Sequence, residues 1–329
     1  MNHVWIDTDM GFDDLAAVLT VAHTPGWVIE GLSLVAGNAP LPVVVDNALR
    51  SAVFFDWRFP LYRGADKPLR GELVTAQNIL GSDAMKSAGR VLPPLQAPTV
   101  SRKLAAAEAV TALANHLQAA TTPVTVLALG PLTNIARLVQ QHPELVARIG
   151  RLVWMGGSAG AGNHTAAAEF NAAVDPEAIQ VVLDAQLPLQ MVGLDACRQV
   201  RVHAQDAQNL RALGTDRADV LADLLLGYVR IAGPEGNLPM SLYDPTAAAA
   251  LVCPDGMTWR DAHVVAECDG RHTRGMTVVE FRVPRKAIAN ARVANVANED
   301  LLRRVVLEAL GRAVQAAPKT GNLDNARSG

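Results

Sequence analysis

Four aspartates stand within eight residues near the start of the chain: Asp7, Asp9, Asp13 and Asp14, in the run Ile6-Asp7-Thr8-Asp9-Met10-Gly11-Phe12-Asp13-Asp14-Leu15. The apolar residues before them read as a buried strand and the Ala-rich residues after them as a helix, so the carboxylates crowd a strand-to-helix turn. One aspartate can cap a helix or complement its dipole. Several held close together repel, and each needs a cation, a proton or a hydrogen-bond donor to offset the others. A hard divalent cation with oxygen ligands meets that need most simply. Asp9 and Asp14, five apart across a Gly-containing turn, can aim at one point while Asp13 addresses a neighbouring one.

The elements that must hold these groups alternate along the chain. Strands are expected at 4–7, 28–35, near Leu61-Tyr62, and at 124–128, 152–155 and 189–192. Helices are expected at 13–23, 43–55, 103–118, through 139 after Gly130-Pro131-Leu132-Thr133-Asn134, and at 176–185, with two more between His203 and Ala232 and one from Asp244 to about Val252. Later strands near Val264 and at 277–283 and 287–291 read as a small antiparallel addition, followed by a last helix over 299–316. The expected fold class is therefore α/β, a Rossmann-like, mostly parallel sheet flanked by helices, with an antiparallel addition near the C-terminus. One domain over 1–316 and a disordered polar tail over 317–329 are expected. Several strands end in Gly- or Asn-containing loops, and that edge of a parallel sheet is where ligands bind. The Gly-, Pro- and polar-rich stretch 64–99 is long for a plain connection and is a candidate active-site flap.

Composition narrows the function. Half of the 329 residues are hydrophobic and only 4% aromatic, as suits helices on a buried parallel sheet. A formal net charge of −3 with scattered Lys and Arg offers no concentrated basic face for nucleic acid. The three cysteines, Cys197, Cys253 and Cys268, lack the pairing or spacing of a disulfide framework or structural zinc. No apolar run approaches the roughly 20 residues of a membrane span and no leader is evident, so a cytoplasmic protein without membrane or nucleic-acid partners is expected.

Asp7-Thr8-Asp9-Met10-Gly11-Phe12-Asp13-Asp14 resembles the amino-terminal signature DTDPGxDD of the inosine-uridine-preferring nucleoside hydrolase family, with Met10 in place of proline. Ala36-Gly37-Asn38, Gly130-Pro131-Leu132-Thr133-Asn134, Met155-Gly156-Gly157, Glu169-Phe170-Asn171 with Asp175-Pro176-Glu177-Ala178, and Asp244-Pro245 resemble further family motifs in the same order. The resemblance implies calcium-dependent hydrolysis of the N-glycosidic bond of ribonucleosides, giving ribose and a free nucleobase. It implies one calcium ion (Ca2+) held by Asp9, Asp14, Asp244 and the main-chain carbonyl of Leu129. Asp9 would serve as general base, and Asp13, Asn38, Asn163, Glu169 and Asn171 would hydrogen-bond ribose with Met155 packed beside it. A homodimer or homotetramer is implied as well.

Chemistry supports such a division, because carboxylates and amides suit a vicinal diol and nearby negative charge favours an oxocarbenium-like transition state. The chain departs from its relatives at the base. Tyr243 stands where many members place a histidine before the metal-binding aspartate, and Leu80-Gly81 where many have a His-Gly pair in the flap. Tyr243 is the remaining candidate for helping the base to leave, as a weak acid or hydrogen-bond donor. Trp57, Trp154 and Trp259 are candidates for stacking on it, Trp154 being placed rather in the core. His23 and His142 read as surface or capping residues, whereas His164 lies in a loop expected to border the pocket. Two other readings remain open: a metal-dependent nucleoside- or ribose-binding relative with weak or lost activity, and a haloacid-dehalogenase-like phosphatase, whose nucleophile loop Asp7-Thr8-Asp9 superficially resembles.

Overall fold

The computed structural model describes residues 1–95 and 103–316; the end of the expected flap and the tail 317–329 lie outside the described residues. Its strands are β1 (Asn2–Thr8), β2 (Trp27–Leu34), β3 (Leu61–Arg63), β4 (Val124–Ala128), β5 (Ile149–Met155), β6 (Leu189–Val192), β7 (Arg201–Val202), β8 (Met240–Ser241), β9 (Met257–Ala266), β10 (Thr277–Glu280) and β11 (Ala291–Ala297). Nine of them form one sheet in the order β10-β9-β11-β6-β5-β4-β1-β2-β3, and β7 pairs with β8 separately. From β3 across to β11 every neighbouring pair is parallel. Within this sheet β9 alone runs against its neighbours, pairing antiparallel with both β11 and β10, so the C-terminal addition continues the main sheet.

Strand alternation divides the core into two layers. Val4 and Ile6 of β1 enter one, with side chains from the helices Phe12–Ala22, Leu41–Phe54, Asp216–Ala232, Asp244–Val252 and Glu299–Gln315. Trp5 enters the other, with the helices Ala109–Ala119, Thr133–Gln141 and Pro176–Asp184. Both faces of the parallel strands are thus covered, which explains their continuous apolar runs. No helix among the described residues is long and apolar enough to cross a membrane.

Two expected elements differ for identifiable reasons. The helix expected over 103–118 begins only at Ala109, because Ala105 N–H donates to the Leu61 carbonyl at 2.9 Å and holds the preceding segment against β3. The strand expected over 287–291 lies instead at Ala291–Ala297. Just before it, the Asn290 side chain takes up the hydrogen bonds of Val264, accepting from its N–H at 2.7 Å and donating to its carbonyl at 2.9 Å.

Gly31 of β2 lies opposite Trp5 of β1, and a methyl group at Gly31 would come within 2.6 Å of the indole. That ring is fixed by a 3.0 Å hydrogen bond to Ser33 Oγ and by stacking on Tyr62 at 5.3 Å. Gly31→Ala is therefore expected to destabilise the fold by about 1–3 kcal/mol through overpacking, read as a lower denaturation midpoint in urea.

Candidate active site

The chain leaves β1 toward β2 and β3 on one side and returns through β4, β5 and β6 on the other, so its direction across the sheet reverses between β1 and β4. The carboxyl ends of strands diverge at such a point and leave a crevice. A cavity of about 550 Å3 opens there. Of the residues that the resemblance assigned to metal, ribose or base, all line it except Asp9 and Asp14, which lie buried among the carboxylates beside it.

The turn after β1 builds this carboxylate cluster. Gly11 N–H donates to Asp14 Oδ2 at 2.8 Å, and the Thr8 hydroxyl donates to Asp14 Oδ1. Met10 takes φ +42°, which proline cannot adopt, and its N–H donates to Thr8 Oγ1 at 3.1 Å. The turn therefore has its own geometry at the position where the family signature carries proline. Asn38 spans two carboxylates: its N–H donates to Asp9 Oδ2 at 2.6 Å, and its Nδ2 to Asp9 Oδ1 at 3.1 Å and Asp14 Oδ2 at 3.2 Å. Gly37 must be glycine for this to close, because a Cβ there would lie 2.1 Å from Asp9 Oδ2. Asp244, at the start of the helix Asp244–Val252, completes the group, with oxygens of Asp13, Asp14 and Asp244 all within 4.8 Å of one another.

Electrostatics here are severe. Loss of water is the main force raising the carboxyl pKa of Asp9, Asp14 and Asp244, and for Asp9 and Asp244 repulsion from Asp14 comes next. Burial and Asp14 push Asp13 up to about 7. Oxygen-only donors crowded this closely suit a hard divalent cation, so the residues fit the metal that the sequence implied. Asp7 is set apart behind the cluster. Its Oδ1 accepts from Ser33 Oγ and from Asn134 Nδ2, the latter at 2.8 Å, whereas Oδ2 is buried without a hydrogen-bond partner. Burial pushes Asp7 up to about 7. Fully enclosed, it cannot reach a substrate, and the phosphatase reading loses the first carboxylate of its nucleophile loop.

The neighbouring wall is polar and heavily braced. Glu169 caps the short helix Phe170–Val174, accepting from the N–H groups of Asn171 at 2.9 Å, Ala172 at 3.0 Å and Gly157 at 2.8 Å. Burial nevertheless pushes its carboxyl up to about 7, against the lowering effect of those donors. Asn171 Nδ2 donates to the Leu129 carbonyl at 2.9 Å and the Met155 carbonyl at 3.1 Å. Both amides, Asn38 and Asn171, thus spend their N–H groups on the protein and keep Oδ1 as an acceptor. Leu129 retains a second lone pair on its carbonyl for another partner. Asn163, exposed on the loop after β5, accepts from Phe170 N–H at 2.9 Å.

The remaining walls are less polar. Val74, Ile79 and Leu80 come from the expected flap, Phe170 from beside Glu169, and Tyr228, Ile231, Met240 and Tyr243 from the region of Asp216–Ala232 and the loop after it. Burial pushes the Tyr243 hydroxyl up to about 12, which makes it a poor proton donor at neutral pH. Among the tryptophans considered for stacking, none lines this cavity. Trp154 is in the core and donates to the Gly130 carbonyl at 3.1 Å, Trp57 stacks on Phe59 at 5.1 Å, and Trp259 lies on β9 beside Arg292.

Two supporting residues escaped the reading of the sequence. Asn134, inside a motif that was noted, ties Asp7 to the Leu34 carbonyl at 3.2 Å and to Ala65 N–H at 2.8 Å. Asn47 reaches from the helix Leu41–Phe54 to the carbonyls of Met10 at 3.0 Å and Asp83 at 2.6 Å, joining the carboxylate turn to the flap. An amide on a helix face otherwise made of small and apolar residues is the signal that would have marked it.

The profile of the family described as inosine-uridine preferring nucleoside hydrolase matches residues 4–304. The chain is 36% identical over 279 residues to the pyrimidine-specific ribonucleoside hydrolase RihA of Salmonella agona (strain SL483), covering 84% of this chain and 88% of that one. To the protein of the same name in Escherichia coli (strain K12) it is 34% identical over 281 residues, with the same coverage. In fold it is similar to a purine-preferring ribonucleoside hydrolase from Gardnerella vaginalis, with a TM-score of 0.86 at 23% identity, over 96% of this chain and all of that one. A profile match over nearly the full length, together with relatives above 30% identity along most of it, places the chain in the inosine-uridine preferring nucleoside hydrolase family, whose members are hydrolases of N-glycosyl bonds.

Proposed function

We propose that the protein is a calcium-dependent ribonucleoside N-ribohydrolase, releasing ribose and a free nucleobase at the cavity beside β1 and β4. The observation that carries this reading is the meeting of Asp13, Asp14 and Asp244 at one point beside a wall of amide and carboxylate acceptors. Such a wall suits a ligand whose polar groups are vicinal hydroxyls. Asp9, Asp14, Asp244 and the Leu129 carbonyl would hold the calcium, with Asp13 on its sugar side. Bound there, the ion supplies charge neutralisation, Lewis acidity toward water and anchorage for the diol.

The chain's own residues do the rest. Asp9, oriented by both N–H groups of Asn38, accepts the proton of the attacking water. Asp13, Asn38, Asn163, Glu169 and Asn171 position the ribose by accepting from or exchanging hydrogen bonds with its hydroxyls, and Met155 packs beside it. Concentrated negative charge around the ring favours the oxocarbenium-like transition state over the neutral ground state. Tyr243 contributes a hydrogen bond at the pocket edge.

The relatives' names differ on the base, pyrimidine-specific for two of them and purine-preferring for another, so a panel must span both classes. With calcium present, ribose release is expected from at least one of inosine, adenosine, guanosine, uridine and cytidine, is abolished by a chelator, and is accompanied by no phosphate release from p-nitrophenyl phosphate. Tight nucleoside binding without turnover would instead identify a binding relative.

Asp9→Asn is expected to lower kcat about 10²- to 10⁴-fold with calcium affinity partly retained, as for loss of a general base. Asp244→Asn is expected to weaken calcium binding itself in a calorimetric titration; unchanged affinity would rule out its place in the metal site.

The pH dependence follows from the raised carboxyls. Asp7, Asp13 and Glu169, pushed up to about 7 in the folded chain, hold protons more tightly there than in the unfolded chain. Their favourable contribution is fully present below the unfolded pKa, about 4, and is lost as pH rises through about 7. Calcium replaces protons in this cluster, so the rise in Tm that it produces over chelator is expected to grow from about pH 5 to about pH 8.5. An equal rise at both ends in thermal melts would contradict a carboxylate metal site.

A further inference from the structure

Cleavage of an N-glycosidic bond leaves electrons on the base, which needs a proton or a strong hydrogen bond as it departs. Neither position where the family often carries histidine supplies a good acid here: Leu80 has no donor, and the Tyr243 hydroxyl is pushed up to about 12 by burial. Tyr228 lines the same cavity, but its hydroxyl is committed to the Ser241 carbonyl at 2.7 Å. The amide of Asn78 can hydrogen-bond a base but cannot transfer a proton.

We propose that His164, on the loop after β5, is the catalytic residue that hydrogen-bonds and protonates the departing nucleobase; this rests on the hydrolase reading above. His164 lines the cavity together with Phe170, and its ring meets the Phe170 ring edge-on with centroids 5.5 Å apart and planes at 71°. Phe170 lies between Glu169 and Asn171 in sequence, so the imidazole borders the wall assigned to ribose. The ring nitrogens make no hydrogen bond within the described residues and remain available to a ligand.

The loop is built to hold that ring. The N–H groups of Asn163, His164 and Thr165 converge on the Ala168 carbonyl at 3.1–3.2 Å, and Gly162 N–H reaches the Ala166 carbonyl at 3.1 Å. The Arg198 guanidinium clamps the carbonyls of Ala161 at 3.0 Å and Gly162 at 2.9 Å. Imidazole is also the side-chain type best suited to proton transfer near neutral pH.

In the step, the bond from the anomeric carbon to the base nitrogen breaks with its electron pair going to the base. The imidazolium proton passes to the base, the water oxygen bonds to the anomeric carbon, and the proton of that water passes to Asp9. Solvent afterwards restores the proton to His164 and takes one from Asp9, so the net reaction adds one water across the bond.

The test compares leaving groups. Wild type, His164→Ala, His164→Gln and Tyr243→Phe are assayed with calcium on the best ribonucleoside of the panel and on p-nitrophenyl β-D-ribofuranoside, whose nitrophenolate leaves as a stabilised anion without a proton. Both His164 variants are expected to lose on the order of 10²- to 10⁴-fold in kcat on the nucleoside and to stay within a few-fold of wild type on the nitrophenyl riboside. Equal losses on both substrates, no loss on either, or a nucleoside-selective loss in Tyr243→Phe alone would overturn the assignment. A wild type inert on both substrates would overturn the hydrolase reading and this assignment with it. Retained turnover of the nitrophenyl riboside by the His164 variants also shows that they fold.

Discussion

Like charges brought together where water cannot relieve them are the constraint around which this structure is organised. Asp9, Asp13, Asp14 and Asp244 converge at the end of β1; burial raises the carboxyl groups of all four, and repulsion from Asp14 adds to it for Asp9, Asp13 and Asp244. The sheet brings about part of this convergence, because β1 delivers its carboxyl end to the gap opened by the reversal between β1 and β4, and Asp244 arrives there at the start of its own helix. Donors such as Asn38, Thr8 and the Gly11 N–H limit the repulsion without removing it. A cluster of this kind binds protons or a cation according to pH, which links the chemistry of the site to the stability of the fold.

The support behind the cluster is a chain of polar contacts across the sheet. Asp7 holds Asn134, Asn134 holds the backbone of Leu34 and Ala65, and the adjacent Thr133 donates to Asp175 at 2.6 Å. Asp175 in turn caps the helix Pro176–Asp184 and accepts from Leu69 N–H at 2.9 Å. Motifs distant in sequence are therefore consecutive links in one network, and the start of the flap is tied to the same links. A buried polar network of this sort rigidifies when its members are satisfied. The single unsatisfied atom noted for Asp7, Oδ2, lies within the same charged region.

The two halves of the cavity follow different physics. Toward the carboxylates Asp9, Asp14, Glu169 and Asn171 are each braced by hydrogen bonds to the backbone. Away from them the walls are Val74, Ile79, Leu80, Ile231 and Met240 with aromatic rings, and they come from segments far apart in the chain. Such walls can change shape without disturbing the carboxylate half.

Much was legible in the sequence because it is local. Strand and helix periodicity, the Asp7–Asp14 turn, and short motifs at strand ends each depend on near neighbours, and they led to the α/β class, the family and the residues that line the cavity. The helix start at Ala109 and the strand at Ala291–Ala297 were not legible, since hydrogen bonds from Leu61 and Val264, remote in sequence, set them. The work of Asn47 and Asn134 was equally hidden, because an amide's role depends on which carbonyls folding brings to it. By itself the sequence determined that four carboxylates would share one strand-to-helix turn, and its resemblance to the family pointed to the departures at Tyr243 and Leu80. Only the tertiary structure decided the spacing: Asp7 fully enclosed, oxygens of Asp13, Asp14 and Asp244 within 4.8 Å of one another, and His164 edge-on to Phe170 at the cavity. Distances between remote segments are set by the packing of the sheet and its helices, and no local pattern encodes them.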